Sequence, residues 1–129
     1  MKRLLLPLLL LPGMAMADSA WQGSATGPAL INRGTQLTSP TLAAAEPTQG
    51  EITQIAWRYT LSGPPPSDLR VWLCATSRCV ELEGASGTTR GLAEVSAAEN
   101  LHFVYGVMGT GRLNATLRVL SNEVMVNYR

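Results

Sequence analysis

The chain has one histidine, His102, and two cysteines, Cys74 and Cys79, so a closed zinc site, which takes four ligands, has too few candidates. Lysine occurs once, at Lys2, and after the adjacent Arg3 every basic residue is an arginine, scattered from Arg33 to Arg129 without a cluster. Binding driven by phosphate contacts needs a concentrated basic face, so this distribution argues against a nucleic-acid partner. A membrane-spanning stretch is missing as well. A spanning helix takes roughly 20 consecutive apolar residues, whereas the leucine-rich run from Leu4 to Leu11 is interrupted by Pro7 and broken by Pro12-Gly13.

That run has instead the layout of an export leader: Lys2 and Arg3, the apolar stretch, then the small-x-small pattern Ala15-Met16-Ala17. Cleavage is expected after Ala17, leaving residues 18–129 as a single domain. Loss of Lys2 and Arg3 leaves eight arginines against nine acidic residues, formally −1 with His102 neutral. No cysteine stands at the new N-terminus to carry a lipid. The mature product is expected to be soluble in the periplasm, with no stable membrane insertion.

An exported chain meets an oxidising compartment, and the two cysteines fit it. Cys74 and Cys79 flank Ala75-Thr76-Ser77-Arg78, between the β-patterned runs Leu69–Leu73 and Val80–Glu83. The spacing predicts a hairpin closed by its own disulfide at a non-hydrogen-bonded pair, where facing Cβ atoms lie about 4.5–5.5 Å apart. A thioredoxin-like redox site would put two residues between the cysteines, not four.

Along the rest of the chain the apolar period is two. Ile55, Trp57, Tyr59 and Leu61 alternate with Gln54, Arg58 and Thr60, the pattern of a half-buried strand. The same alternation runs through Leu69-Val71-Leu73, Val80-Leu82, Leu101-Phe103-Tyr105-Val107, Leu113-Ala115-Leu117-Val119 and Val124-Val126-Tyr128. The segments around Trp21-Gln22 and Leu30-Ile31 add one or two short strands. Turns are expected at Gly63-Pro64-Pro65-Pro66, Gly84 to Gly87, Gly109-Thr110-Gly111 and Ser121-Asn122. Leu42–Glu46 and Leu92–Ala98 have room for a helical turn or two. About seven short strands at this spacing predict an all-β, antiparallel, immunoglobulin-like sandwich in one domain, with a small barrel as the alternative.

No string in the chain completes an enzyme signature. Gly84-Ala85-Ser86-Gly87-Thr88 has Thr88 where a nucleophile elbow needs glycine, and reads as a loop. Gly106-Val107-Met108-Gly109-Thr110-Gly111 lacks a phosphate-loop lysine and opens into a strand. Asn114-Ala115-Thr116 is formally a glycosylation sequon, without meaning in a bacterial periplasm. His102, with Ser86 or Asp68 as conceivable partners, falls on the polar face of a strand, where a rim residue is the ordinary reading. Glu81 and Glu83 share a strand face and are read as solvent-facing charges protecting an edge rather than a glycosidase pair. Catalytic, cofactor-binding and metal-ligating residues are therefore assigned to none, and a small-molecule substrate is not expected.

Several strings taken together identify more than composition does. They are Ala56-Trp57-Arg58-Tyr59, Gly63-Pro64, Leu69-Arg70-Val71, Leu73-Cys74, Ser77-Arg78-Cys79-Val80-Glu81-Leu82-Glu83-Gly84, Ser86-Gly87-Thr88-Thr89, Gly111-Arg112-Leu113, Asn122-Glu123-Val124 and Val126-Asn127-Tyr128-Arg129. They resemble the flagellar protein FlhE family over nearly the whole mature chain. The resemblance implies a periplasmic, non-enzymatic protein encoded with the flagellar type III export gate, associated with assembly, swarming and prevention of proton leakage. It also implies a sandwich like that of pilus chaperones. Those chaperones hold a subunit's terminal carboxylate with an arginine and a lysine between two domains, and this single mature domain without lysine cannot inherit that anchor.

The resemblance, taken with the strand pattern, implies two alternative modes of action. In one, the domain docks on periplasmic parts of the export gate or the nascent rod as a plug. In the other, it chaperones rod or filament subunits by adding one of their strands to a free sheet edge, with the last strand and the segment around Leu30 as the expected edges. Candidate partner contacts are Trp72, Asn127 and Arg129. Trp72 falls on the face opposite Leu69, Val71 and Leu73, and tryptophan is enriched at binding hot spots. Trp21 is a weaker candidate of the same kind, with core the stronger reading for both tryptophans, and Arg58, Arg70 and Arg118 suit cross-strand ion pairs with Glu81, Glu83 or Glu123 as well as they suit binding.

Overall fold

A computed structural model describes residues 19–129, so the expected leader over residues 1–17 lies outside the described residues. Within them the chain forms nine strands and no helix. The strands are β1 (Ser19–Ala25), β2 (Ala29–Asn32), β3 (Gln36–Thr38), β4 (Ile52–Leu61), β5 (Leu69–Cys74), β6 (Cys79–Leu82), β7 (Ser86–Thr89), β8 (His102–Val107) and β9 (Arg112–Tyr128). One antiparallel sheet has the order β1-β9-β4-β7, with β2 also paired to β9, and the other has the order β3-β8-β5-β6. This is the sandwich expected from the alternation, with β3 and β7 as strands that the pattern does not mark.

The alternating residues meet between the sheets. Ile55, Trp57 and Tyr59 of β4 and Val124 and Val126 of β9 face Val71 and Leu73 of β5 and Phe103, Tyr105 and Val107 of β8, all buried. Tyr59 and Tyr105 touch edge to face across the core, with ring centroids 5.5 Å apart. Trp21 is buried, as read from the sequence, and its Nε1–H donates to the Ala97 carbonyl at 3.1 Å.

Three local expectations are overturned. The Ser121-Asn122 turn does not exist, because β9 runs through it for 17 residues. Its apolar period breaks there for a different reason: Thr60 pairs with Ser121 and Leu61 with Val119, so Leu120 is an extra, bulged residue that transfers the buried face from odd to even positions. Asn122 is consequently fully buried, and its Oδ1 accepts a hydrogen bond from the Tyr105 hydroxyl at 3.1 Å. A Cβ on Gly27 would lie 2.5 Å from Val119 Cγ1 and 2.8 Å from that same Oδ1, so only glycine fits beside the bulge.

Second, Gly84 to Gly87 is only partly a turn. Ser86–Thr89 is β7, pairing with Ile55–Arg58. The absent side chain of Gly87 admits the Trp57 ring, since a Cβ there would come within 2.7 Å of Trp57 Cη2. Third, neither proposed helical segment is helical. The 90–99 segment makes turns whose amides pair with the start of β4: Glu94 N–H donates to Ile52 O at 2.8 Å, Ile52 N–H to Val95 O at 2.8 Å, and Ala97 N–H to Gly50 O at 2.9 Å. Leu92, Val95 and Ala97 anchor it in the core.

Burial raises the Tyr105 hydroxyl far above its ordinary ionisation range, with Tyr59 adding to the effect, and burial raises Tyr59 as well. An unfolded tyrosine ionises near pH 10. Below that, both states hold the proton and stability is full. Above it, the unfolded chain alone releases the proton, so stability must fall as pH rises. Thermal unfolding followed from about pH 9 to about pH 11 should show this fall, and Tyr105→Phe should flatten it.

Candidate interaction surface

Cys74 and Cys79 face each other across β5 and β6 and are joined by a disulfide, with Cα atoms 4.0 Å apart. The Ala75 N–H donates to Arg78 O at 2.7 Å, which makes the cysteines a non-hydrogen-bonded pair, as the spacing predicted. The bond also fixes a loop tip that makes contacts of its own. Arg78 Nη1 donates to the carbonyls of Gly91 at 3.0 Å and Ala93 at 3.1 Å, and the Thr76 N–H donates to Glu99 Oε1 at 2.9 Å. The tip thus clasps the 90–99 segment that completes β4. Replacing both cysteines by serine should cost about 2 kcal/mol by loop entropy and increase exchange of the Gly91–Glu99 amides, both measurable by urea denaturation and hydrogen exchange.

Trp72 lies half-buried on the outer face of its sheet, in a row with Thr38, Val104 and Glu81. Beside it a groove of about 470 Å³ is floored by Gly106 and flanked by Gln36 and Met108. Met108 is 52% exposed, yet its backbone is held: its carbonyl accepts from Arg33 Nη1 at 3.1 Å, and its N–H donates to Asp68 O at 3.0 Å. The same Arg33 pairs with the Asp68 carboxylate. This end of the sandwich presents a tryptophan and a methionine on a braced frame.

Asn127 and Arg129 are brought together, but on the other sheet. They line a polar cleft of about 640 Å³ with Gln54, Glu51, Arg90 and Glu94. The cleft opens at a second bulge, where Ile52 pairs with Tyr128 and Gln54 with Asn127, leaving Thr53 extra. Trp72 is not part of it, so the three candidate contacts do not make one site.

The expectation that the last strand is a free edge is wrong. β9 lies inside its sheet, with β1 or β2 on one side and β4 on the other, so Asn127 is paired with both Ala20 and Gln54. The reason is length: a strand of 17 residues offers two long ladders, and both are used. Leu30 does sit on an outer strand, β2, although its own side chain is fully buried.

The outermost strands are β1, β2 and β7 in one sheet and β3 and β6 in the other, and β2 is a four-residue strand whose pairing is interrupted between Leu30 and Asn32. β6 carries Glu81, which pairs with Arg70 at 3.8 Å, and Glu83 follows it. Charges at an edge discourage further pairing, which is the role read for them. β3 is three residues long and runs into Ser39-Pro40. On the other sheet Arg58 pairs with Glu123 at 3.6 Å. β1 is different, with seven residues and no charge, proline or bulge. Its sequence signal is faint because Gly23 and Ala25 supply little of the alternation.

The residues weighed for catalysis are kept apart. His102 pairs with Cys74 at one end of β5, Asp68 precedes the opposite end, and Ser86 belongs to the other sheet. The length of β5 separates the first two by roughly 17 Å.

Residues 27–129 match the family described as Flagellar protein FlhE. The chain belongs to the FlhE family. Flagellar protein FlhE of Salmonella typhimurium is 52% identical over 126 residues, covering 96% of this chain and 97% of that protein. The Escherichia coli protein is 50% identical over 129 residues, covering 98% and 99%. A crystal structure of FlhE superposes with a TM-score of 0.84 at 54% identity, covering 87% of this chain and 97% of that one. A serine protease of Aeromonas sobria has a TM-score of 0.72 at 10% identity, covering 94% of this chain and 28% of the protease, and that likeness concerns the fold alone. FlhE membership supports a flagellar accessory role exercised through contacts with other proteins.

Proposed function

We propose that this chain is a non-enzymatic periplasmic protein that acts on the flagellar type III export apparatus through protein contacts, limiting proton leakage and supporting assembly and swarming. The observation that carries the reading is the match to FlhE proteins over nearly the full length of both chains. The leader pattern and the Cys74–Cys79 bond both suit an oxidising compartment outside the cytosol. Trp72 and Met108 supply the kind of braced, half-exposed side chains on which protein contacts concentrate. Deleting the protein from cells that are building flagella should lower cytoplasmic pH in an acidic medium, and re-expression should restore it. A deletion strain that holds its pH like the parent would contradict the proposal.

A second reading, a chaperone that adds a strand from a rod or filament subunit, is favoured by the unguarded edge of β1. Gln22→Pro should then abolish co-purification of the subunit while the domain stays folded. Retained binding would rule this mode out.

A further inference from the structure

The geometry points to β1 as a self-pairing edge, across which a second copy of this chain docks antiparallel about Gln22 to join two sheets into one.

The direction of the backbone groups sets which residues can pair outward. Glu51 and Arg129 exchange N–H to carbonyl bonds at 3.0 Å, and the Asn127 carbonyl accepts from Thr53 Oγ1, so odd positions in this half of β9 face β4. Even positions therefore face β1, and their register partners are Ser19, Trp21, Gly23 and Ala25. Ala20, Gln22 and Ser24 turn their N–H and C=O groups off the sheet. All three residues are exposed.

Three outward residues centred on Gln22 suit a two-fold axis. A second copy placed antiparallel sets Gln22 against Gln22 and Ala20 against Ser24 of the other copy, so every outward N–H meets an outward C=O and none is left over. Such pairing puts identical residues opposite one another at the axis, and a charge there would oppose it. β1 has none. Its neighbours on the outer face extend the match: Gln22 is in register with Met125, and Met125 with Ala56, an uncharged row that would continue through the axis into the same row of the second copy. Met125 is 39% exposed, and its flank would be narrowed by the added strand. The charged pair Arg58–Glu123 lies one row away, in register with Ser24, already internally matched.

The contact consists mainly of backbone hydrogen bonds with little apolar area, which places it among weak interfaces burying less than about 1,200 Å². It is a concentration-dependent association, and it occupies the same edge that an incoming subunit strand would use.

Gln22→Cys supplies the test, since the native cysteines are bonded to each other and the new thiol alone is reactive. A short bifunctional thiol reagent should give a covalent dimer whose yield rises with protein concentration, whereas Thr88→Cys on the opposite edge should give little. Adding Ala20→Pro removes an outward N–H from each copy and no bond to β9, and should lower the dimer yield about ten-fold with an unchanged near-ultraviolet circular dichroism spectrum. Equal yields from the two cysteine positions, or no effect of Ala20→Pro, would overturn the inference. Capture of a different polypeptide by the Gln22→Cys variant in periplasmic extract, with no self-dimer in purified protein, would also overturn it while leaving the strand-addition reading intact.

Discussion

Asn127→Pro is expected to remove a large share of the domain's stability. Its N–H lies in the ladder between β9 and β4, in the half of β9 where odd positions face β4. Proline removes that donor and sets its ring against the neighbouring strand, a change tolerated at edges and not inside sheets. The cost is on the order of 3 kcal/mol or more, against a total stability of about 5–15 kcal/mol for an ordinary domain. Gln22→Pro, which removes only an outward N–H, should cost far less. Urea midpoints of the two variants measure the difference directly. An unchanged urea midpoint for Asn127→Pro would mean that β9 is not an internal strand.

Trp57→Ala should be nearly as damaging, at about 3–5 kcal/mol. The side chain is 8% exposed, its ring lies against Gly87 in the facing strand, and its Nε1–H donates to Gly84 O at 3.3 Å. β7 is a short strand of small polar residues with no aliphatic anchor of its own, so this ring is what fastens it. The loss should therefore be uneven. Hydrogen exchange of the Ser86–Thr89 amides should accelerate more than that of Phe103 or Tyr105, and global denaturation should shift to lower urea. Uniform acceleration would indicate that β7 is held by something other than Trp57.

What can be read in the chain and what cannot divide along physical lines. The central strands are legible because one face of each is buried: Ile55-Trp57-Tyr59 and Phe103-Tyr105-Val107 alternate strictly, and burial enforces that alternation. The disulfide hairpin is legible because a two-strand turn is a local event. β7 is not, since Ser86-Gly87-Thr88-Thr89 has turn composition, and its place beside β4, where the bare Gly87 leaves room for the Trp57 ring, is a long-range feature. The Leu120 bulge reads as a turn because a phase shift and a chain reversal interrupt a period-two pattern in the same way. Strand order depends on contacts between residues far apart in sequence, which is why the last strand looks like an edge in the sequence when it is the most heavily paired element of its sheet.

The candidate contacts follow the same division. Alternation alone places Trp72 on the correct face. The grouping of Asn127 and Arg129 with Arg90 and Glu94 depends on the second bulge and on the 90–99 segment, neither of which has a local signature. The edge of β1 emerges only from the whole topology.

Whether the domain holds a part of the flagellar export apparatus in the periplasm, as proposed, is decided by photocrosslinking in flagellating cells from residues 22, 72 and 129. A covalent adduct with a periplasmic part of the export gate or rod is expected from at least one of these positions. Folded, exported protein that traps no flagellar component from any of the three would contradict it.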